Sequence, residues 1–382
     1  MRVAVILPSY QEEDNIASVT TAVDRSLKRA CRAIHSLSMA VIANVDSSST
    51  DNTREIFKNT LTFFPKLSLC TRGRPGKGKN ILFFLDKHSQ DFDVFVTLDS
   101  DLKSVENDWL LKFLQPFNTA ERACDFVWPL YRRSRFEGST TNHFAYPLAS
   151  SLFKKNVRQP IAGDFAFSRR IAEKVVSSHI PKTALYYGID ILFSIRALQY
   201  GRSAFQVALG YKRHKPSFAK LEYMFPQVVS AALGAVLSGP GSPSRLHLKS
   251  HRDVINVDPS RNFSHHRQAE VMYKRHAQWI VENSSKITWI EPKLKKEVKA
   301  ALNREHLIDS LLWAKILAAW LSSAVRNRSF FTDASELLPF FVIRSVSFWH
   351  KSLALSALSV EKELKAQVKL INNQIKLCFT RH

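Results

Sequence analysis

The chain has 382 residues, of which 45% are hydrophobic, so it can bury a substantial core and belongs to neither the disordered nor the collagen-like class. Its formal net charge of +22 is compatible with nucleic acid, an anionic small substrate or an acidic membrane surface as a partner. The four cysteines fit neither a disulfide framework nor a zinc site, and the N-terminal apolar run is too short for a signal peptide. We therefore expect a cytoplasmic protein.

Four strands are predicted in the first hundred residues, and they alternate with helical patterns. The apolar runs lie at Val3–Leu7, Met39–Val45, Leu67–Thr71 and Val94–Leu98. Continuous apolar runs are typical of strands that are buried on both faces of a parallel sheet. Strands that alternate with helices predict right-handed crossovers, with ligands bound beyond the carboxyl ends of the strands. The predicted fold class is therefore α/β, with a Rossmann-like, mostly parallel sheet that is flanked by helices.

The pattern changes after residue 125, where strands and helices mix. Strands are predicted at Phe126–Tyr131 and Ala204–Gly210, and helices at Asn142–Phe153 and within Leu185–Tyr200. The breaker cluster Gly239–Pro243 predicts a boundary between a domain of residues 1–238 and a basic helical region of residues 244–382. Charged residues such as Arg344 interrupt the apolar run at 338–359, so no transmembrane segment is expected.

The triplet Asp99-Ser100-Asp101 follows directly after the fourth predicted strand. Two carboxylates one residue apart, at the carboxyl end of a buried strand, can bind one divalent cation together with a diphosphate. Such a cation would neutralise the charge of a leaving diphosphate and so assist cleavage of the bond to it. A solvated acidic turn is the alternative interpretation, but the position after a buried strand favours the metal site.

The segment Gly73–Lys79 has the spacing of a phosphate-binding loop, G-x-x-x-x-G-K, and a strand precedes it. The next residue is Asn80, however, where such a loop needs serine or threonine as a magnesium ligand. A P-loop nucleotide hydrolase is therefore disfavoured. Lys77 and Arg74 still suit a phosphate or a carboxylate, although a helix start with exposed basic residues would have the same pattern.

Three further positions have weaker signals. His214 follows the strand predicted at Ala204–Gly210, and the three cations beside it favour a neutral imidazole that can bind a metal. Asp164 and Asp190 each lie close to a glycine, which lets a ligand approach the backbone beside an acceptor for sugar hydroxyls. A structural histidine and two ordinary loop turns are the alternative interpretations.

Taken in order, these motifs resemble the GT-A nucleotide-sugar glycosyltransferases of the family-2-like group. The motifs are Val5–Glu13, Val45–Asp51, Pro75–Gly78, Leu98–Asp101 and Gly163-Asp164. Within that group the chain is most similar to mannosylglycerate synthase and glucosyl-3-phosphoglycerate synthase, both retaining enzymes, through segments such as Gln159-Pro160 and Tyr187–Asp190. The resemblance extends over about residues 3–235 and implies a GT-A fold.

The resemblance also implies a role for each matching residue. It assigns the nucleobase and ribose pocket to Pro8, Tyr10, Glu12 and Asp46, and the donor sugar or ribose to Asp99, Gly163 and Asp164. It assigns Mg²⁺ or Mn²⁺ to Asp101 and His214, the diphosphate or the acceptor's anionic end to Lys77, and the acceptor hydroxyl to Asp190. The acceptor's carboxylate or phosphate would bind to Arg132, Arg133 or Arg135, with Thr140 or Thr141. The predicted catalytic residues are Lys77, Asp99, Asp101 and Asp190.

The sequence departs from the family pattern at two of these positions. Asp164 stands where the relatives usually have glutamate, which changes the geometry toward a sugar hydroxyl. Tyr187 stands where one relative has tryptophan. The segment Tyr131–Thr141 matches only with a gap.

The predicted function is hexosyl transfer, with retention, from a GDP- or UDP-linked sugar to a small anionic acceptor such as D-glycerate or 3-phosphoglycerate. One alternative keeps the fold but uses a polysaccharide, lipid or protein acceptor, with the basic helical region docked on an anionic surface. Another is a nucleotidyltransferase, which would release pyrophosphate. Nucleic-acid binding is disfavoured by the acidic strand ends, and a homo-oligomer formed through the helical region is compatible with the sequence.

Overall fold

The computed structural model describes residues 1–118, 123–213, 220–240, 245–250, 257–258, 260, 266–303, 308–327 and 330–379. The chain divides into two compact units. Unit 1 comprises Met1–Arg132, Val157–Pro216 and Ala231–Val254, and unit 2 comprises Arg133–Asn156, Ser217–Ser230 and Ile255–His382. The predicted boundary between residues 238 and 244 falls inside the last segment of unit 1, and residues 241–244 lie outside the described residues.

Unit 1 is built on one sheet that has eight strands over its described residues. The strands are β1 (Arg2–Ser9), β2 (Met39–Asp46), β3 (Lys66–Cys70), β4 (Val94–Thr97), β5 (Phe126–Arg132), β6 (Phe165–Ser168), β7 (Ser203–Tyr211) and β8 (His247–Ser250). Their order is β3-β2-β1-β4-β6-β5-β7-β8, and only β6 is antiparallel to its neighbours. The amino end of β6 therefore lies at the same edge as the carboxyl ends of the parallel strands.

The helices that belong to unit 1 throughout are α1 (Ile16–Ala33), α2 (Thr53–Asn59), α3 (Lys77–His88), α4 (Trp109–Leu114), α6 (Arg169–Val176) and α7 (Ile189–Tyr200). Those of unit 2 are α5 (Tyr146–Phe153), α9 (His266–Glu282), α10 (Pro292–Asn303), α11 (Ser310–Asn327), α12 (Phe330–Leu353) and α13 (Ala357–Phe379). Helix α8 (Leu221–Leu237) has residues in both units. The mostly parallel sheet, its flanking helices and the helical C-terminal region confirm the predicted fold class.

The core of unit 1 forms because apolar residues recur with the period of each element. Val3, Val5 and Leu7 alternate along β1 and share one buried cluster with residues of α1. Those of α1 are Val19, Val23 and Leu27, which recur at helical spacing. Complete burial of a side chain of this size contributes about 1.5–3 kcal/mol to the free energy of folding.

Unit 2 has a helical core that includes two segments from the middle of the sequence. The ring of Phe225 stacks on Phe341, with centroids 3.7 Å apart, and lies 5.9 Å from the ring of Phe144. The guanidinium group of Arg344, which interrupts the apolar run of α12, is buried and donates hydrogen bonds to the side chain of Gln367. Burial lowers the pKa of Arg344 to about 10. Over the described ranges, no helix has the length and apolar character needed to cross a membrane.

Asn80 links the carboxyl ends of three neighbouring strands. Its side-chain oxygen accepts hydrogen bonds from the hydroxyl groups of Ser47 and Thr71, at 2.9 and 2.7 Å. Its amide nitrogen donates to the carbonyl oxygens of Val45 and Ser9, at 2.7 and 3.3 Å. An amide can accept and donate at once in this way, and a serine or threonine hydroxyl could not reproduce all four bonds. Asparagine therefore has a structural role where a phosphate-binding loop would need a magnesium ligand.

We expect Asn80→Ala to lower the free energy of unfolding by about 2–4 kcal/mol, because it leaves buried hydroxyl and carbonyl groups without this partner. Urea unfolding followed by circular dichroism measures the change. Asn59→Ala, at the exposed last residue of α2, is the control, with an expected change below about 0.5 kcal/mol. Equal unfolding midpoints for the two variants would contradict this role.

Candidate active site

Charged side chains from five separate segments of unit 1 meet at the carboxyl edge of the sheet. Lys77 is the first residue of α3, Asp99 follows β4, and Asp164 directly precedes β6. Asp190 lies in the first turn of α7, and Lys212 directly follows β7. Four of these five were predicted as site residues. The sheet topology brings them together because the loops and helix starts that carry them all lie at the carboxyl edge of the sheet.

Lys77 contacts two carboxylates of this cluster and one backbone carbonyl oxygen. Its ammonium nitrogen lies 2.7 Å from Oδ1 of Asp99, 2.7 Å from the carbonyl oxygen of Gly163 and 3.1 Å from Oδ1 of Asp190. Burial alone would lower the pKa of Lys77, but the charges of Asp190 and Asp99 outweigh it and raise the pKa. The side chain therefore stays cationic at neutral pH.

Lys212 is the second cation of the cluster, and only 2% of its side chain is exposed. Its ammonium nitrogen lies 2.9 Å from Oδ2 of Asp99, 2.7 Å from Oδ2 of Asp164 and 2.7 Å from the carbonyl oxygen of Ala162. Its ammonium also lies 5.4 Å from the centroid of the Tyr131 ring. The sequence motifs predicted no role for this lysine, and its position two residues before His214 was its only signal in the sequence.

Asp164 is buried, and its carboxylate is already bonded inside the cluster. Besides Lys212, it accepts a hydrogen bond from the backbone nitrogen of Asp99 at 2.8 Å and one from the Tyr131 hydroxyl at 2.9 Å. These bonds hold Asp99 and Lys212 in place. A direct contact of Asp164 with the donor sugar stays a prediction.

Gly163 is needed by the charge cluster itself. Its φ of +94° is a left-handed conformation that favours glycine. A Cβ atom at this position would lie 2.3 Å from Oδ2 of Asp99 and 2.7 Å from the ammonium nitrogen of Lys212. The absence of a side chain thus lets both charged groups approach the backbone.

Asp99 and Asp101 have different environments although they are two residues apart. Burial alone would raise the pKa of Asp99, but Lys212 and Lys77 outweigh it and hold the pKa far below its usual range. Burial and the nearby charge of Asp99 raise the pKa of Asp101 to about 6. Within the described part of the chain, no hydrogen bond reaches the Asp101 carboxylate. Asp101 is therefore the carboxylate of this pair that is open to a ligand.

The structure describes Asp101, one of the two predicted metal ligands. His214 lies outside the described residues. Elsewhere in the described chain, no cluster of three or more histidine, cysteine, aspartate or glutamate side chains has metal-binding geometry. Asp101 with His214 as the metal ligands thus stays a prediction.

The residues predicted to line the nucleotide pocket lie on the same edge, at the ends of β1 and β2. The carbonyl oxygen of Pro8 accepts a hydrogen bond from Ser100 at 2.8 Å, and Tyr10 is 42% exposed. The Glu12 carboxylate accepts a hydrogen bond from the side chain of Asn15 at 2.8 Å. Asp46 is buried, and its carboxylate accepts three bonds from the hydroxyl of Ser9 and from the backbone and hydroxyl of Ser49.

Two glycines of the Gly73–Lys79 segment, Gly76 and Gly78, pack against another loop. A Cβ atom at Gly78 would lie 1.8 Å from the carbonyl oxygen of Ala184, and one at Gly76 would lie 2.4 Å from that of Leu185. These contacts fix α3 beside the loop that precedes α7. They therefore set the distance between Lys77 and Asp190.

Of the residues predicted to bind the acceptor, Arg132 belongs to unit 1, and Arg133, Arg135, Thr140 and Thr141 belong to unit 2. The guanidinium group of Arg132 lies 5.7 Å from the ring centroid of Tyr211. Arg135 is buried and donates to the carbonyl oxygens of Ser352 and Leu355 in unit 2. Thr140 and Thr141 are also buried. Binding of an acceptor by this group stays a prediction.

Residues 4–176 match the family model Glycosyl transferase family 2. This segment is a family 2 glycosyltransferase domain. It includes Lys77, Asp99 and Asp164 of the cluster, together with Asp101, and it confirms the prediction of a family-2-like glycosyltransferase. It also supports the prediction of a hexosyltransferase.

Two kinds of relative are similar to this chain. A dolichol-phosphate mannosyltransferase of Pyrococcus furiosus is 22% identical over 254 residues, which are 61% of this chain and 68% of that protein. A crystal structure of glucosyl-3-phosphoglycerate synthase from Mycobacterium tuberculosis, in complex with Mn²⁺, UDP-glucose and phosphoglyceric acid, is 24% identical with a TM-score of 0.49. That match covers 63% of this chain and 81% of the other. Another structure of the same synthase, with phosphoglyceric acid alone, is 25% identical, covers 61% and 79%, and has a TM-score of 0.49.

We expect Lys212→Met to destabilise unit 1 by about 3–5 kcal/mol, because it leaves the partly buried carboxylate of Asp99 and the buried carboxylate of Asp164 without their shared cation. Arg213→Met, at the exposed neighbouring position, is the matched control and should change the free energy of unfolding by less than about 0.5 kcal/mol. Urea unfolding measures both values. A Lys212→Met variant as stable as the control would show that the cluster does not depend on this lysine.

Proposed function

We propose that this glycosyltransferase moves a hexose from a GDP- or UDP-linked sugar to an anionic acceptor, with a divalent cation as cofactor. The observation that supports the proposal is the partly buried charge cluster around Lys77 at the carboxyl edge of the sheet, beside the open carboxylate of Asp101. Ligands of open α/β sheets bind at this edge. A cation and an anionic diphosphate could be bound there side by side.

The residues at this edge fit a divalent cation. Burial, and then the negative charges of Asp99, Glu12 and Asp164, raise the pKa of Asp101, and a cation would offset these charges. Mg²⁺ sites in phosphate-binding enzymes commonly use one or two carboxylates together with oxygen atoms of the substrate phosphates. We infer that Asp101 would hold the metal, with His214 as a second ligand. When bound, the metal would supply Lewis-acid stabilisation of the leaving diphosphate.

Lys77 and Asp190 have separate tasks in this proposal. The ammonium group of Lys77, held charged by the cluster, would stabilise negative charge on the diphosphate as the bond from the anomeric carbon to oxygen breaks. The Asp190 carboxylate, placed by the first turn of α7, would accept a hydrogen bond from the acceptor hydroxyl and so orient it. Asp99 holds both lysines and is itself a positioning residue. Retention of the anomeric configuration rests on the resemblance to retaining enzymes.

The acceptor has two candidate classes. A small carboxylate or phosphate ester, such as D-glycerate or 3-phosphoglycerate, is favoured by the sequence motifs and by the net charge of +22. A lipid phosphate is favoured by the similarity to a dolichol-phosphate mannosyltransferase. Both classes present an anionic group to the enzyme. We propose the small anionic acceptor and treat the lipid phosphate as the second candidate.

Release of nucleoside diphosphate tests the donor and the acceptor together. GDP-mannose, GDP-glucose and UDP-glucose would each be incubated with Mg²⁺, with D-glycerate, 3-phosphoglycerate or a polyprenyl phosphate, or without acceptor. We expect release with one donor and one of the small acids. Release with the polyprenyl phosphate alone would select the lipid acceptor. No reaction with any donor would contradict the proposal, as would release of pyrophosphate when a nucleoside triphosphate and a sugar 1-phosphate replace the nucleotide sugar.

We expect Asp101→Asn to lower turnover at least about 100-fold, because the amide removes the charge that holds the metal. Asp86→Asn, which neutralises an exposed carboxylate on α3, is the matched control and should retain full turnover. A steady-state assay over a range of Mn²⁺ concentrations separates weaker metal binding from slower chemistry. Near-normal turnover of Asp101→Asn at low Mn²⁺ would exclude this residue as a ligand.

A further inference from the structure

The loop between α2 and β3 exposes two large apolar side chains to solvent. Leu61 is 94% exposed and Phe63 is 74% exposed, the two highest values among large apolar residues in the described part of the chain. Met39, at the start of the neighbouring strand β2, is 45% exposed. Single exposed apolar residues are common on protein surfaces, but adjacent ones on a loop at one corner of a sheet indicate a contact surface.

Hydrogen bonds hold this loop in its exposed position. Oδ1 of Asp24, a buried residue of α1, accepts hydrogen bonds from the backbone nitrogens of Phe63 and Phe64, at 2.8 and 3.0 Å. The ammonium group of Lys66 donates to the carbonyl oxygens at the end of α2, including that of Phe57 at 2.8 Å. The loop is thus anchored at both ends, and its apolar side chains are presented to solvent by a defined backbone.

Basic side chains lie on α1, the helix whose Asp24 anchors this loop. The ammonium nitrogen of Lys28 lies 5.2 Å from the centroid of the Phe63 ring. Arg25, Arg29 and Arg32 are exposed residues of α1 that follow one another at intervals of four and three residues, and none of them has a carboxylate partner among the described residues. Lys28 itself pairs with Asp24, at 3.0 Å, so the positive charge available to a ligand beside the apolar tip is that of the three arginines.

We propose that this surface, comprising Leu61, Phe63 and the cations of α1, binds an anionic lipid bilayer. The two apolar side chains are too small an area for a stable protein interface, which buries roughly 800 Å² on each partner. They are suited to insertion between lipid headgroups, while the arginines bind the anionic headgroups around them. Opposite charge and the apolar tip together favour a bilayer over a soluble anion.

This surface lies away from the candidate active site. Helix α1 runs from the carboxyl edge of the sheet back to the amino edge, and the loop directly precedes the amino end of β3. The lysine and aspartate cluster lies at the opposite, carboxyl edge. Bilayer binding would therefore leave the active site accessible to soluble substrates.

Co-sedimentation of the full chain with lipid vesicles, without any donor sugar, tests the proposal. Vesicles of phosphatidylcholine alone would be compared with vesicles that contain about 30% phosphatidylglycerol, at low and at physiological salt. We expect binding to the anionic vesicles only. The double variant Leu61→Ser with Phe63→Ser should lower the partition coefficient roughly tenfold or more, and Arg25→Gln with Arg29→Gln and Arg32→Gln should do the same.

The matched control is Val271→Ser with Val281→Ser, which replaces two exposed apolar side chains of α9 that are 61% and 57% exposed. It should bind vesicles as the unmodified chain does. Circular dichroism establishes that each variant is folded. Absence of binding to anionic vesicles, or equal binding by the Leu61 and Phe63 double variant, would overturn the proposal. So would loss of binding only in the α9 variant, which would place the surface in unit 2.

Discussion

The site depends on five charged side chains that form ion pairs with one another. Lys77 and Lys212 lie between three carboxylates, those of Asp99, Asp164 and Asp190, and each lysine bridges two of them. Removing such groups from water is unfavourable unless every charge has a partner, so the arrangement is stable only as a whole. Because each member comes from a different segment, the cluster also fixes the ends of β4, β6 and β7 relative to α3 and α7.

Asp101 is not a member of this set of ion-paired groups. Asp99 shares its two oxygens between the lysines, whereas the Asp101 carboxylate has a raised pKa and no hydrogen bond among the described residues. A divalent cation, which needs a deprotonated ligand, would favour the charged form of Asp101. Asp99 and Asp101, two positions apart, thus have different roles: Asp99 organises the site, and Asp101 is available for the proposed cofactor.

The sequence predicted the elements of unit 1 well because strand and helix periods are local. Motifs near the predicted strand ends indicated Lys77, Asp99 and Asp190 as site residues. The sheet topology then brings these residues together. The role of Lys212 and the hydrogen bonds of Asp164 could not be predicted in this way. Lys212 is separated from Asp164 by 48 positions in the sequence and from Asp99 by 113 positions, and no local pattern encodes such contacts. The joining of Arg133–Asn156 to the C-terminal helices likewise depends on distant aromatic contacts, because the ring of Phe225 contacts both Phe144 and Phe341.

The most direct test of this account is the binding of Mn²⁺ in the presence of a nucleoside diphosphate, measured by electron paramagnetic resonance. The account predicts that the protein binds Mn²⁺ together with GDP or UDP, and that Asp101→Asn abolishes this binding while Asp86→Asn preserves it. Binding of Mn²⁺ that is unchanged in Asp101→Asn would contradict it, as would the absence of any nucleotide-dependent Mn²⁺ binding.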